Sequence, residues 1–103
     1  MTDIRTAYES LIARVLHGPG DTSPMQRRAA FDDQASETPV AGLLHKVAVA
    51  ASTVSDTDIA AARGSGFSED QLFELMVCAA VGAASRLHEA ALTVLDAACK
   101  EER

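Results

Sequence analysis

A chain of 103 residues has room for one domain with one core, and its net charge of −6 excludes the cationic surface that holds nucleic acid or anionic lipid. Hydrophobic residues make up 48% and aromatic residues only 4%, so the interior is expected to be alanine, leucine and valine on closely spaced helices. The longest uncharged apolar run, Leu75 to Ala84, is about half of what crosses a bilayer, and the stretch MTDIRTAYES carries no apolar leader. The expectation is a soluble cytoplasmic protein with neither a membrane nor a nucleic-acid partner.

From Asp3 to His17 the apolar residues Ile4, Ala7, Tyr8, Leu11, Ile12, Val15 and Leu16 keep helical spacing. Gly18-Pro19-Gly20 stops that helix; read as a phosphate loop it lacks both the proline N–H and a following lysine. Ser23-Pro24-Met25-Gln26 forms a capping box with proline at the first helical position, opening a short helix to about Phe31. Arg27 and Arg28 lie on it. An anion site is one reading; surface pairing with Asp32, Asp33 or Glu37 is the simpler one. Asp32 to Thr38 reads as a polar loop.

Thr38-Pro39 opens a third helix, VAGLLHKVAVAAS, ending near Ser52, with His45 and Lys46 as its strongly polar members. Ser55 caps a fourth, DTDIAAARG, with Asp56 and Asp58 in its first turn, and Gly64-Ser65-Gly66 ends it. Ser68 and Gln71 form another capping box, and from there no proline interrupts the chain to Lys100. One helix over that span is roughly 45–50 Å long.

This last helix is the centre of the fold. Leu72, Met76, Ala79, Ala83, Leu87, Ala90, Val94 and Ala98 make one apolar face, and Phe73, Val77, Ala80, Ala84, Ala91 and Leu95 a second beside it. Only a narrow polar stripe of Gln71, Glu74, Cys78, Ser85, Glu89, Thr93, Asp96 and Lys100 remains, with Cys78 read as a small core residue. Gly82, about 1 kcal/mol worse than alanine within a helix, marks a close contact or a slight bend. Period-two alternation is absent throughout, so the fold class is all-α, about five helices, with one long C-terminal helix.

From about Val40 to Ala98 the chain resembles the carboxymuconolactone decarboxylase and alkylhydroperoxidase (AhpD-like) family. The resemblance rests on LLHKVAVAAS, on DIAAARGSG with its Ala62-Arg63-x-x-Gly66 spacing, and on GFSEDQLFELMVCAAV. It implies a single domain in which residues 38–103 are the family core and residues 1–37 are N-terminal helices and a loop. The peroxidase branch of that family uses a CxxC pair and a histidine ahead of the ARxxG segment. The matching places here are Ser52, Ser55 and Ile59, which supply neither thiolate nor proton relay. The decarboxylase branch keeps that histidine, so Ile59 counts against its chemistry too, and the family glutamate has no match nearer than Glu37.

A displaced active site would have to draw on Cys78, His45 or His88. Cys78 stands one turn from Glu74, which raises rather than lowers a thiol pKa. His45 has no nucleophile or carboxylate at a helical neighbour position. Arg86 and Glu89 are spaced as an ion pair, leaving His88 on another side. His17, His45 and His88 form no metal-ligand pattern, so no metal or other cofactor is expected. Cys78 and Cys99, roughly 30 Å apart on one helix, are out of disulfide reach. The reading is a non-catalytic pseudoenzyme of AhpD-like type, a homo-oligomer (dimer to hexamer) serving binding or assembly. An enzyme with a displaced site is the alternative. A small-ligand carrier with a pocket between Val40–Ala51 and Leu72–Ala84 is a third reading.

Overall fold

The computed structural model describes residues 2–37 and 39–101. Five α-helices follow one another: α1 Thr2–His17, α2 Pro24–Phe31, α3 Val40–Ala50, α4 Asp56–Gly64 and α5 Glu69–Glu101, with a 3-10 turn at Ala51–Thr53 after α3. No strand occurs among the described residues. The expected all-α fold with one long C-terminal helix is what the chain adopts.

The helix starts are set by local chemistry. Ser23 and Gln26 cap each other's backbone N–H groups, as do Ser55 with Asp58 and Ser68 with Gln71. Thr38, expected to open α3, lies outside the described residues; Pro39 at the N-cap makes no side-chain hydrogen bond there. The C-terminus of α2 is closed by Asp33 N–H to the Ala30 carbonyl and Gln34 N–H to the Ala29 carbonyl, with Asp33 at φ 57°. That is a Schellman arrangement with aspartate in the place usually held by glycine.

Leu16 of α1, Ala30 and Phe31 of α2, Val40, Leu43 and Leu44 of α3, and Ala62 of α4 close around Leu72, Leu75, Cys78 and Ala79 of α5. Each fully buried leucine contributes about 1.5–3 kcal/mol. All of this core lies on the N-terminal half of α5. From Arg86 to Lys100 every residue is exposed. The molecule is accordingly elongated, 56 × 28 × 19 Å, with α5 as its long axis.

The rotation of α5 corrects the sequence reading. Its buried line is Leu72, Leu75, Cys78, Ala79, Gly82 and Ser85, so Cys78 lies in the core as expected and Ser85 of the polar stripe also points inward. Phe73 is 69% exposed and Leu87 73%. The reason is backbone contact. A Cβ built on Gly82 would stand 1.9 Å from the Phe31 carbonyl oxygen, so the end of α2 rests directly on the α5 backbone. Arg86, one turn on, donates to that same carbonyl and makes no ion pair with Glu89 among the described residues. Small residues decide which face α2 occupies.

Gly82→Ala is therefore expected to destabilise the fold by about 3 kcal/mol despite the better helix propensity of alanine. Gly42→Ala, in open space on α3, should stabilise by about 0.5–1 kcal/mol. Urea unfolding of both variants checks this, and equal midpoints would contradict the placement of α2.

Candidate functional site

The three displaced-site candidates are not brought together. Cys78 is 1% exposed, and its thiol lies 3.6 Å from the Val15 carbonyl oxygen. Burial pushes that thiol up; Arg27 opposes the shift and Glu74 adds to it. His45 is exposed, with Nδ1 2.8 Å from the Asp33 carboxylate at the end of α2. The sequence reading found no carboxylate for His45 because this one comes from another helix. His88 stacks on Tyr8 of α1, ring centroids 5.5 Å apart. No hydrogen bond links any two of the three. Cys78 and His88 alone are about 15 Å apart along α5.

The positions matched to the family motif are occupied by structural tasks. Ser52 is exposed in the 3-10 turn, Ser55 caps α4, and Ile59 packs half-buried against the core. Lys46 reaches from α3 to Asp58, 2.9 Å away, tying α3 to the start of α4. The hydrogen bonds from Lys46 and from the Ser55 backbone hold the Asp58 carboxyl below its ordinary range.

The most developed polar cluster is one the sequence did not reveal. Glu74 on α5 accepts from the Asp21 N–H at 2.7 Å, the Thr22 N–H at 3.0 Å and the Thr22 hydroxyl at 2.7 Å. Gly20 sits so near this carboxylate that a Cβ there would be 2.6 Å from Glu74 Oε1. From the other side Arg27, only 6% exposed, donates to the Gly18 carbonyl at 2.6 Å and the Thr22 carbonyl at 2.9 Å. The Gly18–Thr22 loop is thus clamped, its N–H groups on a carboxylate and its carbonyls on a guanidinium. This corrects the surface role expected of Arg27. Its neighbour Arg28 does pair with Asp32, at 2.9 Å. No local pattern announces the clamp, because Thr22 and Glu74 are 52 positions apart.

The Asp21 N–H contributes most to lowering the Glu74 carboxyl, followed by the Thr22 hydroxyl. Every donor toward Glu74 is spent on this loop. The arrangement fastens the Gly18–Thr22 loop to α5.

Two cavities adjoin the core. One of about 210 Å³ lies between α2, α3 and α5, walled by Met25, Val40, Leu44, Phe67 and Leu75. It falls where the carrier reading expects a pocket but is smaller than ordinary ligand sites. The other, about 300 Å³, runs between Leu11 on α1 and Phe73 and Val77 on α5. Among the described residues no three His, Cys, Asp or Glu side chains have metal-binding geometry. By length and composition alone α5 is apolar enough to cross a membrane.

Comparison with family models, with curated proteins and with solved structures returns no match to this chain.

Two outcomes follow from these geometries. The lowered Glu74 carboxyl stabilises the fold above its unfolded pKa, and that contribution fades as pH falls below about 4.3. Glu74→Gln should lose about 1–3 kcal/mol at pH 7 and much less near pH 3. Urea unfolding at both pH values reads this; an equal loss at both would mean that Glu74 is not the charged acceptor. Among the thiols, exposed Cys99 should label far faster than buried Cys78 in the native protein. Equal rates would place Cys78 at the surface.

Proposed function

We propose that the protein is a self-associating helical module without catalytic activity, an AhpD-like scaffold from which the CxxC and histidine are missing. The observation that carries this reading is the outward face of α5. Phe73, Val77, Ala80, Ala84, Leu87, Ala91, Val94 and Ala98 recur at gaps of four and three with no charge among them. That is the a/d seam of a coiled coil, sustained over more than three heptads. Most of its members are exposed, with Leu87 73% and Val94 67% accessible. A monomer does not leave an apolar strip of this length in water. The dispersal of Cys78, His45 and His88 onto separate partners, and the full commitment of Glu74, support the absence of catalysis.

Light scattering at tens of micromolar is expected to show a dimer or larger assembly. Leu87→Glu combined with Val94→Glu should give a monomer that keeps its thermal unfolding transition, since neither side chain packs in its own chain's core. A wild-type monomer, or a chain that floats with neutral lipid vesicles instead of self-associating, would overturn the reading.

A further inference from the structure

The geometry points to a specific partner for the α5 seam: a second copy of this chain, antiparallel to the first about a two-fold axis between Ser85 and Arg86. This rests on the self-association proposed above and adds its direction and register.

Three observations fix that choice. First, the residue sizes are self-complementary in this direction. With the axis at that point Ala84 meets the partner's Leu87, Phe73 meets the partner's Ala98, and Val77 meets the partner's Val94. Ala80 meets the partner's Ala91, the narrowest layer, where two backbones come closest. All eight seam positions are used. A parallel pair would stack Phe73 on Phe73 and Leu87 on Leu87 with alanine-on-alanine layers between. Its helices would be held apart at some layers and leave voids at others. Shifting the antiparallel register by one heptad leaves seam positions unpaired at an end.

Second, the core is lopsided. Helices α1–α4 cover only the N-terminal half of α5, and from Arg86 to Lys100 the helix is bare. An antiparallel partner lays its bare half along the covered half of the first chain, and the reverse. A parallel partner would put both clusters of short helices at one end and leave both bare halves facing mostly water.

Third, the flanks match. Leu11 of α1 is 49% exposed beside Phe73 and Val77, and Val49 of α3 is 65% exposed beside Ala83 and Leu87. These two side chains border the seam on opposite sides. Leu95, 61% exposed and next to the seam, arrives in this register beside the partner's Leu11. The strip from Phe73 to Ala98 is about 37 Å long, and one helix diameter plus both flanks gives on the order of 600–800 Å² per protomer. That approaches the size of a standard stable interface.

The test is disulfide trapping in a Cys99→Ser background, with buried Cys78 left in place. Ala80→Cys and Ala91→Cys are prepared separately, oxidised alone, and oxidised again after being unfolded and refolded together. In the antiparallel register position 80 meets the partner's Ala91, whereas the two copies of position 80 are about 16 Å apart, beyond disulfide reach. The mixture should cross-link into most of its statistically available mixed dimers, and each variant alone should give few. Self-linking of either variant alone would overturn the antiparallel register while leaving self-association intact. Oligomers by light scattering with no cross-link in any combination would do the same. A monomer by light scattering with no cross-link would sink both proposals.

Discussion

The contact between the Phe31 carbonyl and Gly82 decides how the long helix is turned, and the rest of the molecule follows from that rotation. A backbone carbonyl can sit on a helix only where no Cβ stands in the way, and Gly82 is that place in the middle of α5. Once α2 lies there, Leu72, Leu75, Cys78 and Ala79 must face inward. Phe73, Val77, Ala84 and Leu87 must then face outward. Arg86 fastens the same carbonyl from the side, so the crossing is held by shape and by a charged donor together.

The Gly18–Thr22 loop secures the other end of the packed half. A buried arginine is stable only when its donors are used and a counter-charge is near. Arg27 meets this in part: its two terminal nitrogens reach loop carbonyls while Nε has no partner among the described residues, and Glu74, on the far side of the loop, supplies the opposite charge. The polar groups on the inner face of α5 therefore serve cohesion. This also explains why the thiol of Cys78, lodged beside them and raised by burial, has the character of a core residue rather than a nucleophile.

Local patterns in the sequence carried the helix count, the capping boxes at Ser23 and Ser68, the Ser55 cap and the unbroken run of α5. These depend on residues within four positions of one another. Gly82 marks either a close contact or a slight bend in the sequence, and the structure shows the contact, with the Phe31 carbonyl. What sequence spacing did not reveal was the direction α5 faces. Two adjacent apolar faces and one narrow polar stripe leave the rotation ambiguous, and spacing alone does not resolve it. Here the stripe contains Glu74 and Cys78, whose partners Thr22 and Val15 lie 52 and 63 positions away. Arg27 was misplaced for the same reason: its acceptors are backbone carbonyls, which no side-chain pattern displays. His45 found its carboxylate on Asp33 only because α2 ends in a left-handed turn that aims it there.

We propose that α5 turns its apolar face outward for another chain and that this contact orders its C-terminal half. An isolated helical segment of this length is marginal in water, so its backbone hydrogen bonds report directly on whether anything covers it. The decisive measurement is amide hydrogen exchange across residues 86–101 as a function of protein concentration. The account predicts protection at tens of micromolar that is lost on dilution, while the amides of residues 72–82 stay protected throughout. Fast exchange of residues 86–101 at every concentration, with the core still protected, would contradict it.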